Sequence, residues 1–337
     1  PASYPWSVVS SSNTGARLYL QQSNKHMDRC KVEGWMTVDA AKKIFAQAGI
    51  TGDFRAMARK KDFKAIPLNM NVNLTIHNKL KYSLSHNVIG VLKGSTAPDE
   101  YIIYTAHWDH FGIGKPDAKG DSIYNGAVDN ADGSATLISM AKAFSEAKEI
   151  SKRSIIFLAV TAEEQGLLGS EYYATHPVFP LNKTVANINM DALGNYGETK
   201  DISITGKGQN DLEDYIEKYA KEDGLTVVGD SKPGAGGYYR SDHFNFAKVG
   251  VPALDMNNGI VSATHEAGWA KKHQDDYTAN TYHQPSDNYS PDMDASGMAQ
   301  IANLLYRLGS DLANESTFPG WKQGSEFKAV RDKSMGK

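Results

Sequence analysis

The chain of 337 residues is long enough for one large α/β domain with an appendage, or for two ordinary domains, and 40% hydrophobic with 22% charged residues is the composition of a globular protein rather than a disordered or fibrous one. A formal net charge of −3 with no basic run excludes nucleic acid and an anionic membrane as natural partners. The single cysteine, Cys30, excludes an intrachain disulfide and a thiolate zinc cluster, so a metal would have to be bound by His and carboxylates.

The chain opens on Pro1 rather than Met, which leaves room for an upstream leader or domain. Residues 1 to 80 read as mixed polar loops around one helix, from Val38 to Ala48. Thr37 is its N-cap, Ala41, Ile44, Phe45 and Ala48 recur at helical spacing, and Gly49 supplies a left-handed stop. The segment Phe63 to Ile76, where Val72, Leu74 and Ile76 alternate, predicts a strand leading to a domain boundary near Leu80. Beyond it, short β-rich runs at His86–Leu92, Tyr101–Thr105, Ser154–Val160, Val185–Asn189, Asp201–Thr205 and Val251–Met256 alternate with helical stretches at Ala131–Phe144, Gln165–Ala174 and Leu212–Lys221. That alternation predicts an α/β fold, with a mostly parallel sheet covered by helices on both faces. The longest strongly apolar run, Ile155 to Val160, is far short of the roughly 20 residues that a membrane-spanning helix requires. A last helix from Ala295 to Leu312 carries Met298, Ile301, Ala302, Leu305 and Leu308 on one face, and residues 315–337 read as a polar surface tail.

In an open parallel sheet, ligands bind beyond the carboxyl ends of the strands. One predicted strand ends in Thr105-Ala106-His107-Trp108-Asp109, another in Thr161-Ala162-Glu163-Glu164 and a third in Asn189-Met190-Asp191. The loop around Val128-Asp129-Asn130 adds Asp129, and the loop from Tyr282 to Asp287 adds His283. Singly, each is more often a turn residue or a solvated side chain than a ligand. Together, two histidines, three carboxylates and a spare glutamate on one rim would repel unless cations were present. Gly234-Ala235-Gly236-Gly237 lacks the Lys-Ser/Thr ending of a phosphate loop, and the absence of Gly-x-Ser-x-Gly argues against a serine hydrolase. His176, His265 and His273 have no spacing that singles them out.

In this order, His-x-Asp, Val-Asp-Asn, Glu-Glu, Met-Asp, Arg-Ser-Asp-His and Tyr-His resemble the motifs of the di-zinc aminopeptidases, which include aminopeptidase Y, the small secreted bacterial leucyl aminopeptidases and, more distantly, glutamate carboxypeptidase. The resemblance covers residues 81–314 as a zinc-exopeptidase catalytic domain of phosphorylase/hydrolase-like fold. Residues 1–80 resemble part of a protease-associated domain. The resemblance implies two Zn2+ per chain, with Asp129 bridging both, His107 and Asp191 completing one site, and Glu164 and His283 the other. His110 is the alternative to His107, which comes first off the strand. Three protein ligands per ion leave room for a shared water made acidic enough to ionise near neutrality, with Glu163 as general base. By the same resemblance Asp109 orients His107, Tyr282 stabilises the oxyanion and Arg240 belongs to a substrate-pocket loop.

The implied activity is removal of the N-terminal residue from peptide substrates, in a secreted or periplasmic location. Three other readings stay open: a carboxypeptidase or dipeptidase on the same scaffold, with Arg240 holding the terminal carboxylate; a single-zinc glutaminyl cyclase; and a non-catalytic binding module. Side-chain preference and oligomeric state are not written in the motifs.

Overall fold

A computed structural model describes residues 5–13, 16–231 and 233–336. They divide into two units, one of Gln22–Leu84 and one that joins the chain before residue 22 to Ser85 and everything after it. The sequence predicts a boundary near Leu80 with all of the preceding chain in the appendage. Instead, helix α1 (Trp6–Ser11) belongs to the larger unit and buries Val8 and Val9.

In the smaller unit, α2 (Val38–Gln47) forms where its signals place it. The Thr37 hydroxyl accepts from the Ala40 N–H at 3.2 Å, and Gly49 follows at φ +70°. A second short helix, α3 (Phe54–Ala58), is capped by Asp53 and meets α2 through Phe45 and Phe54, whose ring centroids are 4.4 Å apart. The predicted strand between Phe63 and Ile76 does not form, and Val72, Leu74 and Ile76 are exposed. A strand persists by hydrogen bonding to a neighbour, and among the described residues this unit has no sheet to join.

The larger unit is built on strands β1 (Val88–Leu92), β2 (Ala97–His107), β5 (Arg153–Val160), β6 (Thr184–Asn189), β7 (Asp201–Ile204), β8 (Thr226–Gly229) and β9 (Ala253–Asn258), with a two-stranded ribbon of β3 (Gly112–Ile113) and β4 (Ile123–Tyr124) beside them. The strand order is β1-β5-β2-β6-β9-β7-β8. The central four run parallel, β1 is antiparallel to β5, and β7 is antiparallel to β9 while parallel to β8. The sheet is therefore mixed, with its parallel part in the middle. Strand β8, whose run Thr226-Val227-Val228-Gly229 is too short to stand out by pattern, is an addition to the predicted set.

Helices α4 (Asp132–Ser145), α5 (Leu168–Thr175), α6 (Leu212–Glu222), α7 (His243–Lys248), α8 (Trp269–Asn280), α9 (Ser296–Asn314) and α10 (Lys328–Ser334) complete the unit. The alternation of β2 assigns its faces: Ile102, Tyr104 and Ala106 pack with Leu137, Phe144, Leu305 and Leu308, while Tyr101 and Ile103 pack with Tyr173, Phe246 and Trp321. Both faces are covered, which is why β2 and β5 read as continuous apolar runs. Residues 315–337 are not a surface tail. Trp321 and Phe327 are buried in the second cluster, the Trp321 indole donates to the Gly250 carbonyl at 2.9 Å, and Arg331 donates to the carbonyls of Leu181 and Thr184. Their polar average hides two aromatic anchors and an arginine that donates to two backbone carbonyls.

One close approach ties α9 to the sheet. The Tyr104 hydroxyl, fully buried, donates to the Leu305 carbonyl at 2.8 Å, and a Cβ on Gly309 would lie 1.9 Å from it. Alanine is worth about 1 kcal/mol more than glycine in a helix, yet here it would force the ring off its partner. We expect Gly309→Ala to lower unfolding free energy by about 1–3 kcal/mol in urea titration, with Tyr104→Phe in the same chain recovering part of the loss. Equal or higher stability of the single variant would show that this contact does not limit the packing.

Candidate active site

Adjacent parallel strands with matched registers bring their carboxyl ends to one rim, and four of the predicted residues arrive there by that route, from three strands. His107 is the last residue of β2 and pairs with Val160 of β5, Glu163 and Glu164 follow β5, and Asp191 follows β6. The turns that aim them are tight. Ala162 and Ala192, each beside one of these carboxylates, have φ of 55° and 51°, and His283 itself has φ of 59°, a left-handed conformation that non-glycine residues rarely adopt and that clusters at functional sites.

Asp129 comes from the loop that enters α4. The Val128 and Asp129 N–H groups donate to the buried Asp287 carboxylate at 3.1 and 3.2 Å, and Tyr277 adds its hydroxyl at 3.1 Å. On the other side, the Asn130 side chain donates to the Met190 carbonyl at 2.9 Å and accepts from the Gly133 and Ala192 N–H groups. A Cβ on Gly133 would sit 2.2 Å from that amide oxygen and 2.4 Å from the Met190 carbonyl, so glycine is what lets the loop close on the end of β6.

The Asp129 carboxylate faces two ways. One oxygen is 3.1 Å from His107 Nε2, which is also 3.4 Å from Asp191 Oδ1. The other is 3.0 Å from His283 Nε2, which is 3.1 Å from Glu164 Oε2. His107 Nδ1 lies 3.0 Å from the Asp109 main-chain carbonyl, which can only accept, so the ring proton is on Nδ1 and Nε2 presents a lone pair. Although buried, Nε2 has no aligned hydrogen bond to either carboxylate. A lone pair among carboxylate oxygens calls for a proton or a cation. Zinc bonds of 2.0–2.2 Å in tetrahedral geometry separate ligand atoms by about 3.3–3.6 Å, and the four contacts, at 3.0–3.4 Å, lie within a few tenths of an ångström of that range. The side chains of His107, Asp129 and Asp191 therefore fit a divalent ion, and His110, Asp129 and Glu164 form a second group of ligand atoms. His110 Nδ1 is 2.5 Å from Glu164 Oε1, so it stands on the Glu164 side of the rim, whereas His107 faces Asp129 and Asp191.

The charges point the same way. Where a proton rather than a cation fills the gap, His107 is raised well above the usual range, burial opposing but Asp191 and Asp129 prevailing, and the burial that opposes an ionised Asp129 is outweighed by the charges of His107 and His283, which hold its carboxyl well below the usual range. Burial pushes Glu163 and Glu164 well up, with Glu164 and Asp191 adding to the rise at Glu163, and Asp129 to that at Glu164. Without cations the rim holds more carboxylate than its histidines can balance.

Asp129, Glu163, Asp191, Arg240, Ser241, Asp255, Asn257 and Tyr282 line a cavity of ≈150 Å³. Glu163 is in this wall and makes none of the His–carboxylate contacts above, Tyr282 adjoins it with a phenol pushed well above its usual range by burial and then by Asp129 and the nearby glutamates, and Arg240 lies at its edge. Asp109 reaches His107 through its main chain, whereas its carboxylate, raised by burial, accepts from the main chain of Glu163 and Ala162. Asp287, Asn130 and Ser241 support the site without any ligand signal of their own in the sequence. Ser241 accepts from Asn189 and donates to Asp191 Oδ2, and its position inside Arg-Ser-Asp-His was the available signal.

Several known proteins are similar to this chain. Aminopeptidase NAALADL1 of Rattus norvegicus is 29% identical over 216 residues, covering 56% of this chain and 27% of that protein. Aminopeptidase YwaD of Bacillus subtilis is 23% identical over 284 residues, covering 83% and 54%. A glutamate carboxypeptidase 2 homolog of Caenorhabditis briggsae is 29% identical over 217 residues, covering 55% and 26%. The chain thus spans little more than half of these relatives at most. Among solved structures, BSAP, a zinc aminopeptidase from Bacillus subtilis, has a TM-score of 0.50 at 23% identity over 68% of this chain and 51% of that one. The aminopeptidase from Aneurinibacillus sp. strain AM-1 has a TM-score of 0.50 at 21% identity over 69% and 49%. At such identities the likeness is one of fold. Residues 87–308, more than half of the chain and the whole run from β1 into α9 that carries the rim, match the profile of peptidase family M28, and the chain belongs to that family.

Proposed function

We propose that this chain is a metallo-aminopeptidase that holds two zinc ions, one between His107, Asp129 and Asp191 and one between Asp129, Glu164 and His283, and cleaves the first peptide bond of a peptide. The observation that carries the reading is the division of the Asp129 carboxylate, one oxygen 3.1 Å from His107 and the other 3.0 Å from His283. A carboxylate shared in this way would suit two neighbouring cations, one on each oxygen's side. When bound, the ions supply the positive charge that acidifies a water and polarises the scissile carbonyl.

The chain's own groups do the rest. Glu163, in the cavity wall, takes a proton from the attacking water and delivers it to the leaving nitrogen. Tyr282, kept protonated by burial and the surrounding carboxylates, donates a hydrogen bond to the oxygen that becomes anionic. Acidic groups around the cavity, Asp191 and Asp255 among them, favour a free amino terminus. The aminopeptidase names of the rat and Bacillus relatives support that end of the peptide. The second reading, a carboxypeptidase, rests on Arg240 at the cavity edge and the glutamate carboxypeptidase 2 homolog.

Two experiments test these assignments. Glu163→Gln is expected to fold and to take up zinc as the wild type does while turnover falls roughly 100-fold or more; near-normal turnover would remove Glu163 from proton transfer. A defined peptide, offered with a free or an acetylated amino terminus to chelated and zinc-restored protein and read by mass spectrometry, should be shortened from its amino end only when free and only with zinc. Shortening from the carboxyl end would favour the second reading.

A further inference from the structure

We propose that Ser12, from the N-terminal segment, is a positioning residue that sets the tautomer of His283 and so completes the second metal site. The inference rests on the two-ion reading above and concerns how one of its ligands is prepared.

The Ser12 hydroxyl, at the end of α1, is 2.7 Å from the Val8 carbonyl and 2.6 Å from His283 Nδ1. A hydroxyl has one proton, and a carbonyl can only accept, so that proton goes to Val8. The hydroxyl oxygen is left as an acceptor, and His283 Nδ1 must donate to it. Nε2 then carries no proton and presents its lone pair to the space shared with Asp129 Oδ2 and Glu164 Oε2, 3.0 and 3.1 Å away. Metal-binding histidines need this arrangement, with the far nitrogen's proton held by an acceptor. His107 obtains it locally, from the Asp109 carbonyl two residues along; His283 obtains it from a residue 271 positions earlier.

The surroundings restrain the ring but do not choose its tautomer. Tyr282 stacks on His283 with centroids 3.7 Å apart and Phe111 meets it edge-on at 4.8 Å, contacts that set the ring plane. Val8 and Val9, both buried, anchor α1, and the Leu18 N–H donates to Gln165 Oε1 at 3.2 Å, next in sequence to Glu164. The same short segment therefore touches the loops that carry both remaining ligands of the second site.

The test uses the full chain stripped of metal and titrated with Zn2+ against a chromophoric chelator. Wild type should take up two ions. In Ser12→Ala one ion should bind as in wild type and the other about 10–100-fold more weakly, and Ser12→Thr, which keeps the hydroxyl, should restore the weaker site. Unchanged affinity at both sites in Ser12→Ala would overturn the proposal, as would equal weakening of both or a threonine variant no better than alanine. Wild type binding fewer than two ions would instead overturn the two-ion reading, and this proposal with it.

Discussion

The Asp129 carboxylate sits where two histidine–carboxylate groups meet, and the rest of the site is arranged to keep it there. Its two oxygens point at different histidines, so rotating it by even one rotamer would separate the groups. Asp287 accepts from the main chain on one side of the loop, and Asn130 fastens the other side to the end of β6. Gly133 allows the contact to be that close. Cation binding demands this rigidity, because an ion tolerates only a few tenths of an ångström in its ligand distances.

The sheet explains how residues so far apart in the chain converge. His107, Glu163, Glu164 and Asp191 lie at or just beyond the carboxyl ends of β2, β5 and β6, which are neighbours and parallel. The apolar cost of this arrangement is met elsewhere: the same strands are buried on both faces by α4, α6 and α9 on one side and α5, α7 and the C-terminal residues on the other. Excess carboxylate at one end of a well-packed sheet is tolerable because the core beneath it does not depend on the site being neutral.

Both chain ends contribute more than their composition indicates. Helix α1 and the described residues up to Gln21 belong with the larger unit, and Ser12 reaches His283. Trp321, Phe327 and Arg331 close the face of the sheet that α5 and α7 leave open. The intervening Gln22–Leu84 unit shows that local signals can specify α2 without specifying what it packs on, since none of its residues is buried.

The sequence by itself determined the parallel centre of the fold and the motifs at its rim. Apolar runs of strand length between helical stretches leave few ways to build a sheet, and histidine or carboxylate immediately after such a run has a physical meaning that survives ignorance of the strand order. Strand order, the antiparallel edges at β1 and β7, and the burial of the last residues were decided by tertiary structure, because each depends on which distant surface a segment meets. So did the roles of Asp287, Ser241 and Ser12: a lone polar residue carries no periodicity, and its meaning lies wholly in the atom it faces.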